Sequence, residues 1–161
     1  IFFPEINSKN ERLTLEDIKN EMEVNFYGAF NIIKKVLPNL KKNDGASVVL
    51  FSSVAVKTGM PMHSSIAAAK GALEGLAKSL AAELAPRVAI NCIAPSIVDT
   101  KLAANILSTD ERKQASADRH PLKTIGSINS IANSAYFLLQ AKENWISGQI
   151  FRPDGGLSAL K

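Results

Sequence analysis

The sequence predicts an α/β fold built on a parallel sheet, and three observations predict it. Helical and strand-like patterns alternate along the chain as helix, strand, helix, strand, helix, strand. Ser47–Phe51 and Arg87–Ile93 are nearly continuous apolar runs, the pattern of strands buried on both faces. The polar residues that interrupt the pattern cluster just past those strands, at the carboxyl edge where open sheets of this class hold ligands.

Each element has its own local justification. Ile1-Phe2-Phe3-Pro4 is a short apolar run closed by a breaker, and a polar loop runs from there to Arg12. Thr14 with Asp17 three residues on forms a capping box, which opens a long helix. Its apolar stripe is Ile18, Met22, Phe26, Ala29, Ile33 and Val36, and Asn25 falls on that stripe. A buried amide needs partners, so Asn25 is either a satisfied core residue or part of a site. Pro38 and Asn43-Asp44-Gly45 are expected to end the helix and turn the chain.

After the Ser47–Phe51 strand come Ser52, Ser53 and a Gly59-Met60-Pro61 loop. His63-Ser64-Ser65 opens the next helix, with Ile66, Ala69, Leu73, Leu76, Ala77, Leu80 and Leu84 at helical spacing. Lys70 lies one turn beyond Ile66 on the edge of that stripe. It either snorkels to water along its stem or turns inward to a partner. Gly71 and Gly75, with Ala67, Ala68 and Ala72, form a small-residue face suited to close helix packing. The helix stops near Pro86, and the Arg87–Ile93 strand runs into Ala94-Pro95-Ser96. Short helical pieces lead to Pro121, one of them starting at Ser108-Thr109-Asp110-Glu111. Ser127 caps a helix with stripe Ile128, Ile131, Ala132, Ala135 and Leu138. Trp145-Ile146-Ser147-Gly148 turns into a last strand, Gln149–Arg152, closed by Asp154-Gly155-Gly156.

Composition bounds the rest. With 161 residues and 46% hydrophobic content the chain supports one domain and one core. The net charge of +4 and pI near 9.2 come from scattered residues, with no basic stripe, so no nucleic-acid partner is expected. The lone Cys92 excludes an internal disulfide and fits a reducing compartment. Neither a signal peptide nor a membrane span is visible, so a cytoplasmic protein with no membrane partner is expected. His120 has no helical histidine partner, and no metal site is expected.

Ser53, the Pro95–Thr100 segment, Lys70 and Asn25 are thereby expected to converge on one crevice. Three strands are few for a doubly wound sheet, and no G-x-G-x-x-G turn comes after any of them.

These residues resemble the short-chain dehydrogenases/reductases. Val24-Asn25-Phe26-Tyr27-Gly28-Ala29-Phe30 resembles the family's asparagine helix, and Val49-Leu50-Phe51-Ser52-Ser53 the strand ending in its catalytic serine. Asn91 to Thr100 is similar to the Pro-Gly-x-x-x-Thr segment that holds the nicotinamide, and Trp145 to Gly156 to the closing strand. The likeness covers essentially the whole chain but only the family's rear portion. It implies a Rossmann-like, doubly wound parallel sheet of which residues 1–161 supply the C-terminal part of a single domain. Ile1–Pro4 resembles the stretch just after the family's Asn-Asn-Ala-Gly segment, so the front, roughly 90 residues at ~30 per βα unit, is expected to be missing. By the same resemblance Asn25, Ser53 and Lys70 are the catalytic residues, and Lys70, Pro95, Ser96, Ile97 and Thr100 bind the cofactor, NAD or NADP. That binding requires the missing front. The implied assembly is a homo-dimer or homo-tetramer, and Lys101–Pro121 would cover the substrate.

One departure stands out. The family's tyrosine, four residues before its lysine, exchanges a proton with the substrate oxygen; here that position is Ile66. An isoleucine transfers no proton, and losing a positioned general acid costs about 10²–10⁴ in rate. Tyr27 lies on another helix face and Tyr136 on the late helix as packing, so neither is a substitute. His63 is the nearest titratable group; its other reading is a solvated loop histidine. Ser96 also replaces the glycine of the Pro-Gly pair. The expected function is a divergent oxidoreductase transferring hydride between NAD(P) and a small carbonyl/alcohol substrate, with turnover reduced by the lost tyrosine. The rival is a non-catalytic relative, a nucleotide-binding or assembly protein, in which Ile66 extends the core stripe. A third reading, a half-domain completing its sheet with a partner, depends on the chain starting at Ile1.

Overall fold

The computed structural model describes residues 13–140 and 145–160. The apolar run at residues 1–4 therefore lies outside the described residues. The elements in order are α1 (Leu15–Met22), a π-helical turn (Glu23–Tyr27), α2 (Gly28–Leu40), β1 (Ala46–Phe51), α3 (Ala55–Thr58), α4 (Ser64–Leu84), β2 (Val88–Ile93), a 3₁₀ turn (Lys101–Ala103), α5 (Asp110–Asp118), α6 (Ile128–Leu139) and β3 (Ile150–Phe151).

The strands form one parallel sheet in the order β1-β2-β3, with Ala46 opposite Val88 and Cys92 opposite Ile150. The fold is thus α/β with a parallel sheet, as the alternation predicts. Side chains alternate across a strand. Val88, Ile90 and Cys92 pack with Ala77, Ala81 and Leu84 of α4 and with Leu37 and Leu40 of α2. On the other face, the Ser47 hydroxyl donates to the Leu138 carbonyl of α6 at 3.0 Å. Helices therefore cover both faces.

Several local expectations need correction. β1 is half-buried rather than buried on both faces, because among the described residues it is an edge strand, while central β2 is almost wholly buried. The long first helix is interrupted by the π turn, and Ile33 is its one fully buried stripe residue. Pro38 does not end α2. The helix runs on to Leu40 because the Lys41 N–H still reaches the Leu37 carbonyl at 3.0 Å. Tyr136 is 68% exposed and packs no core, and β3 is two residues long rather than four. On α4 the buried face is Ala69, Leu73, Ala77, Ala81 and Leu84, with Leu76 and Leu80 only partly covered. A Cβ at Gly71 would make ordinary contact with Val56, whereas Gly75 faces open space, so the small-residue face packs at only one of its glycines.

The helix caps behave as the sequence indicates. The Thr14–Asp17 capping box is complete, and Thr109 and Ser127 cap α5 and α6. Among the described residues no helix is long and apolar enough to cross a membrane, and no His/Cys/Asp/Glu cluster is arranged to hold a metal.

Candidate active site

The carboxyl ends of β1 and β2 are stitched together beyond the ladder. The Ser52 N–H donates to the Ile93 carbonyl at 2.7 Å, and the Val54 N–H to the Pro95 carbonyl at 3.0 Å. These two bonds fix Ser53 beside Pro95 and Ser96. Ser53 also accepts the Ala55 N–H at 3.2 Å through its hydroxyl, at the start of α3. Ser53, His63, Pro95, Ser96, Ile97 and His120 line one cavity of about 230 Å³. Pro95, Ser96 and Ile97 also line an adjoining cavity of about 510 Å³, apolar in character, completed by Thr100, Phe51, Leu102 and Ile131. Thr100 is turned to the backbone, accepting the Ala103 N–H at 3.3 Å.

Ser53, Pro95, Ser96, Ile97 and Thr100 are thus gathered at the strand ends. Lys70 and Asn25 are placed differently. Lys70 Nζ donates to the Phe51 carbonyl at 2.7 Å, so its ammonium sits at the end of β1 rather than in open water. Burial pulls the Lys70 pKa down, opposed chiefly by the Glu21 carboxylate. Asn25 lies in the π turn, a geometry that recurs at functional positions. Its amide donates to the Glu21 carbonyl at 3.1 Å and carboxylate at 2.7 Å, and it lines a separate depression with Ser65 and Asp17. The single crevice expected for all four features therefore resolves into two neighbourhoods. The cause is local: Glu21, one turn earlier, takes up the Asn25 amide. Ile66 is half-buried on α4.

The structure adds a residue that the sequence pattern does not place at the site. His120 is 4% exposed, with Nδ1 at 2.8 Å from the Ser116 carbonyl and Nε2 at 2.8 Å from Ser96 Oγ. A carbonyl only accepts, so Nδ1 carries the proton of the neutral ring and Nε2 receives the Ser96 hydroxyl. Gly155 leaves room for this side chain: its φ is +61° and a Cβ there would meet His120 Cβ at 3.2 Å. The signal in the sequence is the side chain at Ser96 where the family pattern has none. His63 is half-buried, its Nδ1 2.8 Å from the Pro61 carbonyl, and it faces the Ser53 cavity rather than bulk water alone.

A second polar group lies beneath the sheet edge. Glu74, 7% exposed, accepts the Ser52 hydroxyl at 2.6 Å and pairs with Arg152 at 3.5 Å. Nearby, Cys92 is fully buried, and burial, reinforced by Glu74, pushes its thiol up to about 12.

A parallel sheet covered on both faces, with its polar groups gathered past the strand ends, defines the Rossmann-like class. Comparison with known proteins narrows this. The family profile described as Enoyl-(Acyl carrier protein) reductase matches residues 2–158. A tropinone reductase homolog of Arabidopsis thaliana is 34% identical over 146 residues, covering 90% of this chain and 56% of that protein. The 3-oxoacyl-(acyl-carrier-protein) reductase of Aquifex aeolicus is 34% identical over 147 residues, 91% of this chain and 58% of its own. A gluconate 5-dehydrogenase from Burkholderia cenocepacia, solved with NADP and tartrate, superposes with a TM-score of 0.83 at 26% identity, over 92% of this chain and 59% of its own. The chain belongs to the short-chain dehydrogenase/reductase family, and it spans little more than half the length of these relatives.

Proposed function

We propose that the chain is the C-terminal part of a single Rossmann-like domain in an NAD(P)-dependent oxidoreductase that interconverts a small carbonyl and its alcohol. The observation that carries this reading is the arrangement at the strand ends, where Ser53 is fixed beside Pro95 and Ser96 by backbone bonds from Ser52 and Val54.

The donor set fits the nicotinamide end of a dinucleotide. Pro95 and Ile97 offer an apolar wall for the ring, Thr100 a hydroxyl for the carboxamide, and Lys70 an ammonium for the ribose hydroxyls. When bound, the nicotinamide supplies or accepts the hydride. Ser53 would donate a hydrogen bond to the substrate oxygen, stabilising the charge that develops on it. The apolar cavity beside Thr100 would accept the body of an apolar substrate. Asn25, tied to Glu21, helps hold the helix that packs on α4 and thereby the Lys70 position. Assembly as a homo-dimer or homo-tetramer is part of the same reading, supported by the open face at Gly75.

A second reading, a non-catalytic nucleotide-binding or assembly relative, has one observation in its favour. Lys70 is engaged by the Phe51 carbonyl, and no phenol stands at position 66 to use it.

The test is a titration of the complete protein with NADH and with NADPH, followed by nicotinamide fluorescence. Saturable binding of either is the expected result, and the preferred cofactor is read from the same curves. No binding at millimolar cofactor would overturn the oxidoreductase reading.

A further inference from the structure

We propose that the Ser96 hydroxyl, backed by His120 and the Ser116 carbonyl, is the proton-transfer group of this site, taking the place that Ile66 leaves empty. The inference rests on the oxidoreductase reading above. Three observations carry it. Ser96 Oγ lies 2.8 Å from His120 Nε2, while Nδ1, 2.8 Å from the Ser116 carbonyl, fixes the tautomer that leaves Nε2 basic. Ser53, Ser96 and His120 line the same cavity, so the pair opens onto the space beside the carbonyl-polarising serine. His120 is buried, its ring held between the Ser116 carbonyl and Ser96 Oγ, and Gly155 leaves the room it occupies, since a Cβ there would meet His120 Cβ at 3.2 Å. A base oriented by a third group behind a hydroxyl is the general layout of an activated proton relay.

The relay balances in both directions. In alcohol oxidation, the substrate O–H bond breaks as Ser96 Oγ takes its proton, and the Ser96 proton passes to His120 Nε2. The carbinol C–H bond breaks with its electron pair, which leaves as hydride to the oxidised nicotinamide, the co-reactant. The products are the carbonyl, the reduced nicotinamide and an imidazolium that returns its proton to water. In carbonyl reduction, the imidazolium gives a proton through Ser96 to the substrate oxygen as the carbon receives hydride. The Ser96 side chain, a departure from the family pattern, thereby acquires a purpose.

The experiment uses the complete protein, whichever of NADH or NADPH binds it, and 2,3-butanedione as the carbonyl probe. Ser96→Ala and His120→Gln should each lower turnover by about 10²-fold or more, with the cofactor dissociation constant unchanged in His120→Gln. The double variant should be no slower than the worse single, because the two act as a unit. Ser96→Thr, which keeps a hydroxyl, should recover most of the loss. Independently of turnover, nitrogen NMR of the histidine rings should show the Nδ1-protonated tautomer for His120 and a displaced Nε2 signal in Ser96→Ala. Full turnover in a folded Ser96→Ala protein would overturn the relay, as would an Nε2-protonated neutral ring. Cofactor binding without any hydride transfer to the probe would also overturn it. Absence of cofactor binding would strike the oxidoreductase reading itself, with the histidine tautomer still reporting on the pair.

Discussion

Ser52 and Ser53 are neighbours in sequence, come after the same strand and serve opposite ends. Ser52 points under the sheet edge, where Glu74 and Arg152 enclose it; Ser53 faces an open cavity with Ser96 and His120. The lower group faces inward, away from that cavity: a buried carboxylate with a hydroxyl and a guanidinium on it, the guanidinium Nε left without a partner among the described residues. The upper group leaves the Ser53 and Ser96 hydroxyls lining space that a small molecule can enter, with His120 Nε2 behind Ser96. Polarity alone therefore does not mark a site in this fold. What marks it is polarity whose partners are incomplete on the side facing a cavity.

Perturbing each group should separate stability from turnover. The largest effect is expected at the lower group. Glu74→Ala leaves Arg152 and Ser52 without their carboxylate and should cost about 3–5 kcal/mol of stability in urea unfolding. A loss under 1 kcal/mol would make the lower group dispensable and erase the distinction between the two serines. At the upper group, Ser53→Ala should leave the unfolding midpoint nearly unchanged and reduce turnover by about 10²–10³-fold, the loss of one positioned donor. A stability loss as large as that of Glu74→Ala would show that both serines serve the fold.

Cys92 extends the same contrast with a smaller effect. Its thiol is held at about 12 in the folded protein against a reference value of 9.0. A raised value means the folded state keeps its proton more tightly. That stability is therefore complete below pH 9 and is lost as pH rises from 9 to 12, at about 1.4 kcal/mol per pH unit. Cys92→Ala should remove this slope, which a series of unfolding curves across alkaline pH would reveal. The native thiol should also resist iodoacetamide at pH 8 and react once the protein is unfolded.

Much of the fold is legible in the sequence because it is local. Apolar runs, capping boxes and breakers mark the element order and the parallel sheet, and strand ends locate Ser53 and the Pro95–Thr100 segment. What escapes is set by tertiary contact. Glu74 is a charged residue breaking an apolar stretch of sequence, yet Ser52 and Arg152, from distant segments, make its burial tolerable. His120 reads as a lone histidine in a loop, because its partner Ser96 is 24 residues earlier. Asn25 does sit on the first helical segment, but a π turn and Glu21 take its amide away from the crevice, which residue spacing does not reveal.

A site that keeps its crevice while moving proton transfer off helix α4, from position 66 to Ser96 and His120, makes a sharp prediction about restoring the phenol. The experiment places a tyrosine at position 66, four residues before Lys70, in two backgrounds of the complete protein. Ile66→Tyr alone should change butanedione turnover by no more than a few-fold, since proton transfer is already provided. Combined with Ser96→Ala, it should restore most of the lost turnover. A gain of about 10²-fold or more from Ile66→Tyr alone would mean that the native site has no proton donor of its own, and the relay would fall.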